Sequence, residues 1–206
     1  MGFSHTLENS DFGRDSIRKR VARLSKNFHS QIDQTTLMVN LVKPTLTREL
    51  YLQCLVKLAE VHIPVEAAIS SFFATHATTF NWKEREKAAL LLADVALLTG
   101  KAADSVPAVK IPPITDLPTL AGYLYVVEGS TLGGSYIAAN LDKTLHIGPN
   151  NGGAFFNVYG DRVGLRWDQL WSFIEAQVSA EQLPLMLASA EYAFSLFLNT
   201  LQQIYD

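Results

Sequence analysis

The sequence is poor in cysteine, in charge of either sign and in long apolar runs. Cys54 is its one cysteine, so no disulfide can form within the chain and a cysteine-rich structural metal centre is excluded. Neither is needed, because a chain of 206 residues should bury roughly 70% of its unfolded surface and hold a core without staples. Seventeen Lys and Arg stand against twenty Asp and Glu, a net charge of −3, which lacks the overall basic footprint of a nucleic-acid binder. The most apolar run, 88–98, is interrupted by Asp94 and falls well short of the ~18 residues that span a bilayer, so no membrane span is expected. The Met1-Gly-Phe-Ser-His-Thr6 start has no apolar leader core, which gives the expectation of a cytoplasmic protein in a reducing compartment. Gly2 with Thr6 fits the loose myristoylation pattern, as two fixed residues often do by chance.

What the chain has is helical periodicity, without a convincing series of alternating strands and hairpin turns. The expectation is an all-α, single-domain, multi-helix bundle over residues 1–206, with 1–12 as a flexible N-terminal arm. A first helix is expected over 15–33, where Ile17, Val21, Leu24, Phe28 and Ile32 form one apolar stripe. A second should begin near Thr45, carry Leu46, Leu50, Leu55, Leu58 and Ala59, and break or kink at Pro64 before continuing over 66–73. A third covers 83–98 and stops at Gly100, a C-cap glycine. Four of the eight prolines lie between 107 and 118, an extended connector. The next helix runs over 119–145. The segment 146–164, with five of the twelve glycines, reads as a long irregular loop of the kind that is often functional. Helices over 167–178 and 181–205 close the chain.

The helix at 119–145 is the most informative. At about 100° per residue, Gly122, Val126, Gly129, Gly133 and Ile137 fall on one side. A helix-interior glycine costs ~1 kcal/mol relative to alanine, so Gly129, Gly133 and Gly134 together forfeit on the order of 3 kcal/mol of a net stability of ~5–15 kcal/mol. Either another helix backbone packs into the groove, or a flat ligand lies against bare backbone over which the helix kinks. Spacing alone does not choose between them.

On the first helix, His29 borders the apolar stripe, with Ser25 one turn before it and Asp33 one turn after. It is either a hydrogen-bonded structural residue or a ligand, since a buried neutral imidazole is a standard iron ligand. Six of the seventeen basic groups, Arg14, Arg18, Lys19, Arg20, Arg23 and Lys26, surround it. Most belong to a solvated face, and one or two could pair with an anionic ligand.

The segment Tyr125-Val-Val-Glu-Gly-Ser-Thr-Leu-Gly-Gly134 resembles the distal-helix signature of bacterial biliverdin-producing haem oxygenases, particularly those found with bacteriophytochromes. Leu24-Ser-Lys-Asn-Phe-His-Ser-Gln-Ile-Asp33 is similar to the family's proximal segment, in which Ser or Thr stands four residues before the ligating histidine. The 167–173 segment and the Ala193-Phe194 helix resemble its closing elements, so the likeness covers most of the chain. The resemblance implies haem, at once substrate and cofactor, held between the first, proximal helix and the glycine-rich distal helix, with His29 as the axial metal ligand. It implies oxidation at a meso carbon to biliverdin, carbon monoxide and iron, using O2 and electrons from an external donor of ferredoxin or flavin-reductase type, with a bacteriophytochrome as a possible acceptor of biliverdin. Gly129, Gly133 and Ser130 become the candidate catalytic positions, Ser130 as a hydrogen-bond donor to distal water. Ser25, Tyr125, Gly134, Phe194 and Arg23 become candidate pocket residues.

Two departures matter. Ser130 stands where animal members carry an aspartate, and Ala22 stands where many relatives have a basic residue, so propionate contacts fall to Arg20, Arg23, Lys143 or Arg166. A non-catalytic haem carrier or sensor is the rival reading, and an interaction protein that keeps the fold without haem is a third. The absence of a Glu-x-x-His pair argues against a ferritin-like di-iron bundle. Cys54 reads as a small buried hydrophobe, against a thiaminase-like nucleophile. His62 reads as a core or helix-end residue, and His5, His76 and His146 as exposed.

Overall fold

A computed structural model describes residues 16–101 and 109–203, and no strand forms among them. Its helices are α1 (Ile17–Asp33), α2 (Thr36–Leu41), α3 (Arg48–Thr75), α4 (Ala88–Thr99), α5 (Leu117–Gly129), α6 (Gly134–Leu145), α7 (Val163–Gln177) and α8 (Leu183–Gln202), with short 3-10 turns at Lys83–Arg85, Ser130–Gly133, Phe155–Asn157 and Gly160–Arg162. The expected N-terminal arm at 1–12, His5, the Gly2 and Thr6 pattern, and Asp15, Pro107 and Tyr205 as element bounds lie outside the described residues. No described helix is long and apolar enough to cross a membrane.

Helix starts follow local chemistry. Ser16 caps α1, Thr47 caps α3, and Asp116 caps α5 by accepting from the Thr119 N–H at 2.8 Å, with Pro118 in its first turn. Gly100, at φ 69°, ends α4 as its position forecasts. Four expectations need correction. The helix expected over 83–98 starts only at Ala88, because Lys83–Arg85 form a separate 3-10 turn. The short α2 was not anticipated, since six residues show too little of the helical period to register. It forms because the Thr35 hydroxyl donates to the Ile32 carbonyl and caps Met38. The stripe on α1 runs through Val21, Ser25, Phe28 and Ile32, leaving Leu24 47% exposed. Pro64 does not break α3. A proline removes the donor that would satisfy the carbonyl four residues back, and that carbonyl, Glu60 O, instead accepts from Val109 N–H at 3.3 Å. The connector that re-enters the fold at residue 109 thus completes the helix.

Helix α5 is the centre of the core. Leu120, Leu124 and Val127 are fully buried and Tyr123, Tyr125 and Val126 nearly so, and it packs most extensively against α8. At Gly122 an added Cβ would overlap Ser189 Oγ and the Met186 carbonyl and lie 2.6 Å from Ala190 N, so backbone meets backbone there. The segment 146–162 is held rather than free. Asp94 accepts from the Ala154 and Phe155 N–H groups at 3.0 and 2.8 Å, and Tyr51 donates to the Gly152 carbonyl at 2.7 Å. Cys54 is a buried free thiol.

His62 is 1% exposed, wedged edge-on between Phe155 and Phe197, with no hydrogen-bond partner on either ring nitrogen. Burial, aided by the Lys87 charge, pushes its pKa from 6.5 to about 3. The neutral folded imidazole therefore disfavours acid. Stability is full above pH 6.5, where the unfolded imidazole titrates, and is lost as pH falls from there toward about 3, at up to about 1.4 kcal/mol per pH unit. His62→Leu should flatten this acid limb in urea titrations run across that range, and an unchanged slope in the variant would refute the assignment.

Candidate functional site

The α1 stripe places Ser25 and His29 one helical turn apart on the side facing α5 and α8. Ser25 is buried because it has a partner: its Oγ lies 2.7 Å from the Tyr125 hydroxyl. The same hydroxyl is 3.1 Å from His29 Nε2, so one phenol joins the two α1 side chains. The imidazole stands edge-on to Phe194, with ring centres 4.7 Å apart, and Phe194 stacks on Phe28 at 5.8 Å. Burial lowers the His29 pKa, with Asp33 opposing. At neutral pH the ring is uncharged and has a lone pair for a proton donor or a metal. Ser25, His29, Tyr125 and Phe194 are thus brought together from three helices.

One turn beyond Tyr125 the distal helix changes character. The single helix expected over 119–145 is two, since α5 ends at Gly129, a 3-10 turn covers Ser130–Gly133 and α6 starts at Gly134. The glycines divide sharply. Gly122 is required by α8, and at Gly134 a Cβ would lie 2.9 Å from the Phe156 carbonyl oxygen, so both serve backbone packing. Gly129 and Gly133 have no such reason. A Cβ at Gly133 would meet nothing within 4 Å, and one at Gly129 would touch only the Trp167 ring at 3.5 Å, an ordinary contact. Their backbone angles are those any residue adopts, φ −60° and −82°. The fold tolerates side chains at both positions, yet the sequence carries none.

The other expected residues are placed as follows. Gly134 packs against the Phe156 backbone of the 146–162 segment. Ser130 donates its proton to the Val127 carbonyl at 2.8 Å, leaving oxygen lone pairs and no donor for outside water, a correction to the expected donor role. Arg23 and Lys143 are exposed on α1 and α6. Arg166 pairs with Glu84 at 2.9 Å, and Arg18 pairs with Asp168 at 2.8 Å.

Sequence reasoning missed Trp167 as a site residue. Its ring covers Gly129 and lies 5.7 Å from the Tyr125 ring. The sequence places the indole only in a closing helix, and no local spacing ties residue 167 to residue 129. Glu128 was missed as well, although a carboxylate inside an otherwise apolar helix was a visible signal. It is 1% exposed and accepts from Arg85 Nη1, from Lys87 Nζ at 2.8 Å and from the Tyr159 hydroxyl at 3.0 Å.

A family model described as Heme oxygenase matches residues 15–203. The fold is similar to that of the NO- and CO-bound heme oxygenase of Neisseria meningitidis, with a TM-score of 0.74 at 18% identity over 91% of this chain and 90% of that one. Heme oxygenase-2 of Synechocystis sp. PCC 6803 gives 0.71 at 15% identity over 91% and 84%. The heme oxygenase of Leptospira interrogans gives 0.69 at 13% identity over 92% and 100%. A search of curated proteins returns no match.

The division of the glycines can be checked directly by thermal denaturation. Gly133→Ala should leave the melting temperature unchanged or raise it, by up to about 1 kcal/mol of stability. Gly122→Ala should destabilise by about 1–3 kcal/mol or more through overpacking against α8. Equal losses in the two variants would show that Gly133 too is held by packing.

Proposed function

The chain belongs to the heme oxygenase family, and from that premise we propose that His29 Nε2 is the axial ligand of haem and that Gly129 and Gly133 form the bare face above it. The family's reaction, degradation of haem with O2 and externally supplied electrons, is the activity of this chain, and the carrier reading is not favoured. The observation that carries the site assignment is the pair of glycines the fold does not need. At Gly133 the missing side chain leaves open space, and at Gly129 it leaves only the Trp167 ring opposite.

The donor set suits haem. The His29 imidazole is half-buried and neutral, as a ligand nitrogen must be, and Phe28 and Phe194 supply an apolar wall beside it. Bound there, haem supplies both the iron that takes O2 and the meso carbon that is oxidised. Every other role belongs to the protein. His29 would hold the iron through its imidazole. Its Nε2 lies 3.1 Å from the Tyr125 hydroxyl, a hydrogen bond that would be given up where that nitrogen holds the iron. Ser25 Oγ, 2.7 Å away, retains the displaced phenol, so no buried polar group is stranded. Above, Gly129 and Gly133 present no Cβ to crowd the O2 face. Ser130, with its proton on Val127, accepts a hydrogen bond from water there and so helps to order it. The Trp167 ring bounds the space and limits bulk solvent. No strong acid or nucleophile is required, because proton delivery by positioned water suffices for a reaction whose chemistry is the cofactor's own.

The finer reading, that biliverdin and carbon monoxide are the products, that a ferredoxin or flavin reductase donates the electrons and that a bacteriophytochrome accepts the pigment, is supported by the likeness of 125–134 to the bacterial signature; a cytoplasmic setting is proposed beside it. Arg23, exposed on α1, is proposed as a propionate partner.

Mixing the purified protein with hemin and a reductant under air should bleach the sharp haem band and raise a broad red absorption. His29→Ala should lose the histidine-ligated spectrum and most turnover, and full activity in that variant would overturn the axial assignment. Tyr125→Phe should tighten hemin binding roughly two- to tenfold by removing one competing hydrogen bond, read by absorbance titration of the ligand-free protein. Weaker binding would mean that the hydroxyl holds the ligand rather than releasing it.

A further inference from the structure

A buried charge cluster lies behind the glycine turn. Glu128, the residue before Gly129, places its carboxylate against Arg85, Lys87 and Tyr159, all nearly or fully buried. Lys87 Nζ also donates to the Arg85 carbonyl at 3.0 Å, and Glu66 accepts from the Lys87 and Ala88 backbone N–H groups. Arg85 reaches two ways. One guanidinium nitrogen binds Glu128, while the other donates to the Arg166 carbonyl at 3.1 Å and to Gln169 Oε1 at 3.3 Å. Arg166 and Gln169 bracket Trp167 on α7, and Trp167 is the side chain that meets Gly129.

A single planar fork therefore joins the carboxylate that begins the glycine turn to the segment carrying the indole that covers it. The turn itself is tied to the same end of α5, since the Thr131 and Ser130 hydroxyls donate to the Glu128 and Val127 carbonyls at 2.7 and 2.8 Å. Buried ion pairs are a poor route to stability, since desolvation often cancels their attraction. What such a cluster supplies well is fixed geometry, because a guanidinium bound at both ends has no freedom left to shift.

We propose that Arg85 and Glu128 are positioning residues that set the separation between the Gly129–Gly133 turn and Trp167, and with it the shape of the space in which a diatomic ligand sits on the haem iron. This rests on the placement of haem between His29 and the glycine face. The pair touches neither haem nor oxygen. It acts through the turn and the indole, so its loss alters how a bound diatomic is oriented and leaves the grip of His29 intact.

Arg85→Lys is the discriminating variant, because it keeps the positive charge and cannot bind Glu128 and α7 together. The double variant Glu128→Gln with Lys87→Met, which removes one charge of each sign, weakens the same bridge while keeping the cluster balanced. In both, hemin should titrate with parental affinity, within about twofold, and with the parental histidine-ligated spectrum. The C–O stretching band of the reduced CO complex should shift or broaden, and kcat should fall by about tenfold with KM unchanged. The parental C–O band together with parental turnover in either variant, or collapse of both variants at the working temperature, would overturn the proposal and make the cluster merely structural. Failure of the underlying site assignment is read separately, in the otherwise unaltered chain, as hemin binding that His29→Ala does not change.

Discussion

Helix α5 has almost no free surface, and that constraint governs the rest of the molecule. Gly122 lets its backbone meet the backbone of α8, and Leu120, Leu124 and Val127 leave no gap around it. A helix fixed so tightly along its length delivers its last residues to a defined place. Tyr125 arrives under α1, where its hydroxyl serves Ser25 and His29 together. Glu128 arrives at a pocket of cations. Gly129 arrives where the packed core ends and the kink begins. The site is assembled at the end of a rigid element, which is where small displacements are least tolerated.

The stretch from Gly122 to Gly134 carries two kinds of glycine. Gly122 and Gly134 are there because atoms of the protein would collide with a side chain, and Gly129 and Gly133 are there although none would. Periodicity places Gly122, Gly129 and Gly133 together, with Gly134 next to them in sequence, and treats them alike. Only the neighbours separate them, which is why glycine spacing read from sequence can flag such a helix and cannot say which of its glycines serve the fold and which serve a ligand.

Much of the architecture was legible before any coordinates. The C-cap at Gly100, the all-helical class and the pairing of the His29 segment with the 125–134 segment all follow from local pattern or resemblance. What escaped the sequence was set by distant partners. Ser25 displaced Leu24 from the buried line of α1 because Tyr125, one hundred residues on, satisfies its hydroxyl. Trp167 became a neighbour of Gly129 through the packing of α7 on α5. The loop at 146–162 lost its apparent freedom to Asp94 and Tyr51, whose side chains give no hint in sequence of the backbone groups they bind. Ser130 looked like an available donor, and its proton is committed to the carbonyl three residues back, a local bond that competes with any external partner.

Pro64 has a wider consequence than its neglect of helix rules suggests. In an ordinary helix every interior carbonyl is occupied, and an arriving segment finds nothing to hold. Here the ring leaves one oxygen unclaimed in mid-helix, and the amide of Val109 takes it. The imino acid thus works as a keyhole in α3 at which the chain is registered just before it runs into α5, so the most tightly fitted helix of the molecule inherits its starting point from a flaw in another.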